Sequence, residues 1–189
     1  MVERAVEALR AGEAVILPTD TVYGLCVSPE HAARLADLKG RPGSMPVALL
    51  CADTRRLLEL VPEAAGYEAV LPGPYTLIVP NPPGRFPQLG GVETIGVRVP
   101  VLAGDARAVI DRVGAVAATS ANRHGDTDPR RLEDVPAEIR QACGAEVDGG
   151  ELPGIPSTVV DLTGENPRVL REGAVPAADA LRRLGGKAE

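Results

Sequence analysis

Ala14-Val15-Ile16-Leu17-Pro18-Thr19-Asp20-Thr21-Val22-Tyr23-Gly24-Leu25 joins a short apolar run to a dense group of polar side chains. The run 14–17 predicts a buried strand, and Pro18, which has no N–H to donate, predicts its end. Thr19, Thr21 and Tyr23 then bring hydroxyls and Asp20 a carboxylate, before Gly24 lets the backbone bend or come close to something else. Ligands of α/β proteins collect at the carboxyl ends of strands, so this is a candidate binding element. Taken alone, it is better read as an ordinary Pro-Thr-Asp turn leading into a second strand over 22–27. The rest of the chain changes those odds.

Upstream, Val2, Ala5, Val6 and Leu9 recur at helical spacing and Gly12 closes them, predicting an amphipathic helix over 2–11 rather than a signal peptide. Downstream, Ser28-Pro29-Glu30 opens a helix that runs into Lys39-Gly40-Arg41-Pro42-Gly43. Further strands are predicted over 47–51, 75–79, 94–99, 115–119, 146–148, 157–162 and 168–170. Helices are predicted over 54–60, 62–70, 105–113, 136–143 and 177–184, with Asp53 or Thr54 capping the first of these. The Pro- and Gly-rich segment 81–91 reads as a long surface loop where mobility is expected, and the Gly-Gly-Lys tail as frayed. Short strands alternating with helices give an α/β class, and the late strand runs predict a mixed sheet.

The totals narrow the function. A chain of 189 residues fits one domain with a sizeable core, and 44% hydrophobic with 24% charged residues describes a globular protein. Aromatics at 2% leave nothing for base-stacking platforms, and a net charge of -6 is the wrong sign for holding nucleic acid by its phosphates. Cys26, Cys51 and Cys143 are odd in number and lack C-x-x-C spacing, so neither a disulfide frame nor a zinc site is expected. Reduced cysteines and the lack of any apolar run near the roughly 20 residues that span a bilayer predict a cytoplasmic protein without membrane contact.

Four groups of residues are suited to anion chemistry. Lys39 and Arg41 end a helix among glycines and prolines; a point charge and a planar fork two residues apart can hold two different oxyanions, a triphosphate being the obvious ligand. Thr119-Ser120-Ala121-Asn122 follows an apolar strand directly, as the opening stretch does. Ser157-Thr158 begins a strand after a Pro-Gly turn, and Arg98 and Arg171 lie at or beyond strand ends. Singly, each is an ordinary cap or surface residue; together they supply hydroxyl, amide and guanidinium donors for phosphates, a carboxylate and an adenine edge. No G-x-x-x-x-G-K-[ST], G-x-G-x-x-G or G-x-S-x-G motif is present, which removes the P-loop, Rossmann and hydrolase-elbow readings. With two histidines, a Ser-His-Asp triad could form only through His124, a loop residue near Asn122, and is not favoured.

In this order, the motifs resemble the YrdC-like family, and within it the threonylcarbamoyl-AMP synthases. The matching residues are Pro18 to Leu25, Lys39-Gly40-Arg41-Pro42 with Pro46, Leu71-Pro72-Gly73-Pro74-Tyr75-Thr76-Leu77, Gly96-Val97-Arg98-Val99-Pro100, Thr119 to Asn122, Ser157-Thr158-Val159-Val160-Asp161 and Arg171-Glu172-Gly173. The resemblance implies one YrdC-like domain over 1–189, of the short single-domain form: a twisted open mixed sheet flanked by helices around a deep, positively lined cavity. It implies ATP, L-threonine and bicarbonate as substrates, Mg²⁺ carried by ATP rather than by a protein metal site, and tRNA threonylcarbamoyl-transferase proteins as partners, with at most a weak direct tRNA or RNA contact.

Carried over by position, the resemblance gives Lys39 and Arg41 the phosphates and the catalytic charge. Ser120, Asn122 and Arg171 fall on the nucleotide, while Thr21, Tyr23, Arg98, Ala118 and Ser157 line the threonine pocket. The physical chemistry agrees: a carbamate oxygen attacking an α-phosphorus needs anions positioned and charge neutralised in a dry site, not a covalent nucleophile. Three alternatives remain. A YciO-like paralogue shares the fold without the reaction, but such proteins tend to lose the lysine and asparagine that stand here as Lys39 and Asn122. An RNA-binding module of the same fold is opposed by the acidic charge and the scarce aromatics. The carbamoyl-transfer domain of hydrogenase maturation belongs to far larger chains.

Overall fold

In the computed structural model, which describes residues 1–40, 47–81, 85–89, 91 and 93–185, the opening stretch is a tight hairpin. Strands β1 (Ala14–Pro18) and β2 (Tyr23–Val27) pair antiparallel, with Pro18 opposite Tyr23. Thr19 holds the connection: its Oγ1 donates to the Val22 carbonyl at 2.7 Å and accepts from the amides of Thr21 and Val22. The turn-and-strand reading is therefore right, and the polar residues nonetheless end up against a cavity. Every residue of both strands is buried, which explains a continuous apolar run instead of alternation.

Seven further strands complete a nine-stranded sheet among the described residues: β3 (Ala48–Cys51), β4 (Tyr75–Pro80), β5 (Thr94–Arg98), β6 (Ala115–Ser120), β7 (Cys143–Glu146), β8 (Thr158–Asp161) and β9 (Arg168–Arg171). Their order is β7-β1-β2-β6-β3-β5-β4-β8-β9. The pairs β1–β7, β3–β5 and β4–β8 are parallel and the others antiparallel, so the sheet is mixed, as expected.

Two apolar clusters cover the sheet unequally. On one face Ile16, Tyr23, Leu25, Leu49, Leu77, Val97 and Val160 pack against α2 (Ala33–Lys39), α3 (Thr54–Leu60), α5 (Ala137–Gln141) and α6 (Ala177–Arg183), through Leu35, Leu57, Ile139 and Ala180. On the other, Val15, Leu17, Cys26, Leu50 and Val116 meet Val6 and Leu9 of α1 (Val2–Arg10) and Val109 and Ile110 of α4 (Gly104–Val113). No residue of β4, β5 or β8 belongs to that second cluster. Their burial alternates strictly, one side closed and the other half-open. That uncovered half of the sheet is the floor of the site.

Several local expectations need correction. Strand β7 occupies Cys143–Glu146 instead of 146–148, because its backbone pairs parallel with β1 and Asp148 turns away to Tyr23. The helix predicted over 62–70 is two 3₁₀ turns, Pro62–Ala64 and Glu68–Val70, separated by Gly66 at φ 93°. Ser28 does not cap backbone; its hydroxyl meets His31 Nδ1 at 2.9 Å in a 3₁₀ turn before α2. Asp53 caps α3 as expected, accepting from Arg56 N at 2.6 Å. Burial pushes the Cys26, Cys51 and Cys143 thiols up to about 12, so all three are protonated, unreactive side chains. No helix among the described residues is long and apolar enough to cross a membrane. The mobility expected of 81–91 and the frayed tail fall in part on 82–84, 90 and 186–189, outside the described residues.

Candidate active site

The open half-face holds a cavity of about 300 Å³, and three polar corners surround it. At the first, Arg98 ends β5 and its Nη2 donates to Asp20 Oδ1 at 3.0 Å and to Thr21 Oγ1 at 3.3 Å. Asp20 Oδ2 accepts from Val101 N at 3.1 Å, and Thr19 and Thr21 share a hydroxyl contact at 2.9 Å. The Arg98 and Asp20 side chains are only 12% and 11% exposed. Burial lowers the guanidinium's pKa from its ordinary value; Asp20 opposes that effect and the charge of Arg171 adds to it. Arg98 Nε is buried with no partner. Arg98 lines the cavity wall, and a planar cation there suits an anion.

The second corner is Lys39, the last residue of α2, where Gly40 at φ 60° ends the helix. Lys39 is 5% exposed, and its Nζ reaches the Ser120 carbonyl at 2.7 Å, Ser120 Oγ at 3.5 Å and Asn122 Oδ1 at 2.6 Å. Ser120 Oγ also donates to Asn122 Oδ1 at 2.7 Å, and Asn122 Nδ2 donates to the Asp126 carbonyl and to Asp128 Oδ1. Residues 39 and 120–122, far apart in sequence, meet because β6 runs beside β2 and delivers its carboxyl end to the end of α2.

At the third corner, Arg171 of β9 donates from Nη2 to the Ser157 carbonyl at 2.9 Å and to Ser157 Oγ at 3.4 Å, while Ser157 Oγ meets Thr76 Oγ1 at 2.8 Å. Arg171 faces the cavity through a β-bulge. Val159 pairs with Arg171 but Val160 with Val169, leaving Leu170 as an extra residue, 49% exposed. In a regular strand Val169 and Arg171 would share a face. The bulge instead sends Val169 to the main core and Arg171 to the cavity.

Of the residues singled out from sequence, Arg98, Ala118, Ser120, Ser157 and Arg171 line the cavity. Thr21 stands behind Thr19, and Lys39 and Asn122 stand behind Ser120. Arg41 lies outside the described residues. Tyr23 is a correction. It belongs to the opposite face, where its hydroxyl bonds Asp148 Oδ1 at 3.0 Å, the Gly150 carbonyl at 2.9 Å and Gly149 N at 2.9 Å. Burial first, then Asp148, pushes this phenol up to about 12, so it serves as a neutral hydroxyl clamp. Tyr23→Phe is expected to lower stability by about 1–3 kcal/mol, through the polar groups left unpaired. Ligand affinity is expected to stay within about twofold of wild type; thermal melts and ligand titrations on one sample check both statements.

Sequence reasoning passed over Thr76, Gly96 and Asp128, all of which line the cavity. Thr76 and Gly96 were signalled by period two, since they alternate with the buried Leu77 and Val97. Asp128, in a loop, carried no such signal. A Cβ on Gly96 would meet Thr76 Cγ2 at 3.5 Å, Ala48 Cα at 3.9 Å and Ala48 Cβ at 4.0 Å, all ordinary contacts, so the fold itself does not require glycine there. Gly96→Val is therefore expected to fold with a melting temperature near wild type while occupying ligand space and weakening binding by about tenfold or more. Melting curves and ligand titrations check it. His124 is exposed and enters only through its amide, which donates to the Lys39 carbonyl at 3.4 Å. A second hollow of about 370 Å³, between α1, α3 and α4, gathers none of the predicted residues.

The Sua5/YciO/YrdC family model, described as "Telomere recombination", matches residues 7–173. A threonylcarbamoyl-AMP synthase of Halorhodospira halophila is 35% identical over 91% of this chain and 90% of its own length. The threonylcarbamoyl-AMP synthase of Pyrococcus abyssi is 32% identical over 94% of this chain but only 55% of its own. The crystal structure of P. abyssi Sua5 complexed with L-threonine superposes with a TM-score of 0.87 at 32% identity, covering 97% of this chain and 57% of that one. E. coli YciO superposes with a TM-score of 0.81 at 25% identity, covering 95% and 92%. With a family model that matches residues 7–173, most of its length, the chain belongs to the Sua5/YciO/YrdC family.

Proposed function

We propose that this protein is a threonylcarbamoyl-AMP synthase, a nucleotidyltransferase that forms threonylcarbamoyl-adenylate and pyrophosphate from L-threonine, bicarbonate and ATP. The observation that carries the reading is convergence: Arg98 and Arg171 line one cavity, Lys39 stands behind its Ser120 wall, and among the described residues the lining includes a single carboxylate, Asp128. Such a site suits a reaction that brings anions together and builds negative charge. The names of the relatives and the L-threonine complex of the Pyrococcus protein support the substrate assignment.

In this proposal Arg98, at the cavity wall, takes the threonine carboxylate. Thr21 holds the Arg98 guanidinium in place, and Ala118 and Ser157 shape the pocket. Lys39, with Arg41, faces the phosphates, and Ser120, Asn122 and Arg171 hold the nucleotide. Mg²⁺ enters as the counter-ion of ATP, a hard cation held chiefly by phosphate oxygens. The free amine of threonine attacks the bicarbonate carbon and water leaves, giving a carbamate; a carbamate oxygen then attacks the α-phosphorus, and the bond to pyrophosphate breaks. The residues orient the reactants and neutralise charge, and none forms a covalent intermediate. The product would pass, in the cytoplasm, to transferase proteins that make threonylcarbamoyladenosine on tRNA.

The test is pyrophosphate release from MgATP with and without L-threonine and bicarbonate, with mass detection of the adduct. The expected result is release that needs both co-substrates, with a threonylcarbamoyl-adenylate mass. Well-folded protein that releases none would instead match the YciO branch, which shares the fold.

A further inference from the structure

The second hollow, of about 370 Å³, shares no lining residue with the cavity described above. It lies at the other ends of the same strands. Ser28 follows β2, and Ala115 and Val116 begin β6, whereas Gly24 and Ser120 face the first cavity. Its character is divided. Leu9, Leu60, Phe86 and Val116 give it an apolar side, while Arg10, Arg56 and Arg112 bring guanidiniums. Glu30 is the one carboxylate among the described residues of the lining.

Helix ends account for two of the three cations. Arg10 closes α1 and Arg112 falls in the last turn of α4, where a positive charge complements the dipole. Arg56 sits in the first turn of α3, the end at which a cation is disfavoured. It lies instead against the backbone that ends α4: a Cβ on Gly114, at φ 79°, would come 3.2 Å from Arg56 Nε. Three like charges thus line one hollow, and the carboxylates that answer them are loose. The Arg56 and Glu59 side chains are 39% and 45% exposed, and those of Arg112 and Glu3 50% and 67%. Exposed pairs of this kind contribute little, so another anion can replace them at small cost.

The apolar side carries an independent sign. Phe86, the only phenylalanine of the chain, has φ 42°, a left-handed conformation that a bulky residue avoids. Backbone bonds on both sides hold it there. Asn81 Nδ2 donates to the Arg85 carbonyl at 2.9 Å, Leu89 N to the Phe86 carbonyl at 3.0 Å, and Val47 N to the Leu89 carbonyl at 3.0 Å. Strain of this kind collects where a site is built.

We propose that this hollow is a second binding site, for a small organic acid with a flat apolar body. The acid group meets Arg56 and Arg112, and the body lies against Phe86 and Leu60. An inorganic anion would leave the apolar side wet, and a neutral ring would leave the guanidiniums unanswered, so the amphiphile is preferred to either half. Glu30 adds a repulsive element against a ligand with a second acid group.

The test is a fluorescence titration of the full-length protein with anilinonaphthalene sulfonate, an aromatic acid of this class, alongside melting curves. The expected result is saturation at one equivalent, unaffected by MgATP. Arg56→Gln combined with Arg112→Gln should raise the Kd by about tenfold or more. Phe86→Asn should act similarly, since asparagine accepts a left-handed backbone and removes the ring. Should Phe86→Asn melt early, the arginine variant decides alone. Arg168→Gln combined with Arg182→Gln removes the same charge from side chains that are 73% exposed and outside the hollow, and should have no effect. Unchanged affinity in the Arg56 and Arg112 variant would overturn the proposal. An equal loss in the Arg168 and Arg182 variant would overturn it by showing attraction to net charge alone. Displacement by MgATP would do so by placing the probe in the first cavity. Because the two hollows share no lining residue, the result does not depend on the synthase reading.

Discussion

Arg98→Ala is expected to remove L-threonine-dependent pyrophosphate release and to lower the melting temperature in the same step. The two losses have separate causes. In the folded protein Arg98 neutralises Asp20, and both side chains are nearly buried. Removing one partner of a buried pair leaves an uncompensated charge and costs about 3–5 kcal/mol, which for a domain of this size is about 10 °C or more. In the proposed site the ligand loses its guanidinium partner at the cavity wall; truncations of that kind cost about 2–5 kcal/mol, at least about 30-fold in the L-threonine Kd. Adding Asp20→Asn to Arg98→Ala separates the effects: stability should largely return, because no buried charge is then stranded, and threonine affinity should not. A double variant that regained both would show that Arg98 acts only by holding the turn 19–21. Melting curves and calorimetric titrations of the two variants decide it.

Lys39→Met is expected to fold and to turn over slowly. Methionine retains the length and apolar stem of lysine in a position only 5% exposed, and Asn122 Oδ1 keeps the hydrogen bond from Ser120 Oγ. What disappears is the ammonium at the phosphate corner. Loss of one preorganised donor to developing negative charge typically lowers turnover by about 10²–10³-fold, so kcat for pyrophosphate release should fall by that factor and the KM for ATP should rise. Lys39→Arg should not rescue, because a planar fork cannot reproduce a compact ammonium that meets Ser120 O at 2.7 Å and Asn122 Oδ1 at 2.6 Å together. Normal turnover in a folded Lys39→Met variant would remove Lys39 from the phosphate assignment.

The sequence was most legible where local chemistry and burial point the same way. The run 14–17 lies buried on both sides, Asp53 does cap the helix that follows it, and the alternation in 75–80 and 94–98 marks one closed and one open side. The cations and hydroxyls that gather at the cavity stood out because they follow apolar runs or end helices. Tyr23 was misplaced for a reason the same pattern contains: if Gly24 touches the cavity, its neighbour in a strand must face the other way. Strand β7 was not legible, since Cys143-Gly144-Ala145-Glu146 has no strand pattern and is ordered by pairing with β1. Asp128 was invisible for a similar reason, because its seat depends on contacts to Asn122 and, through Pro129, to Tyr23.

The extra residue in β9 makes this site sensitive to arithmetic as well as to chemistry. Arg171 reaches the cavity because the stretch between Val169 and Arg171 contains one residue more than the ladder can pair. Loss of Leu170 would leave every cavity residue in the sequence and give the outer strand a more regular ladder, yet it would turn the third guanidinium to the wrong side of the sheet. In the proposed site the parity of this strand, odd or even, thus matters beside the identity of its residues, and a one-residue deletion at Leu170 is expected to take Arg171 out of the cavity. The same irregular edge is a poorer template for pairing with another chain, so one surplus leucine serves both the site and the solubility of the sheet that carries it.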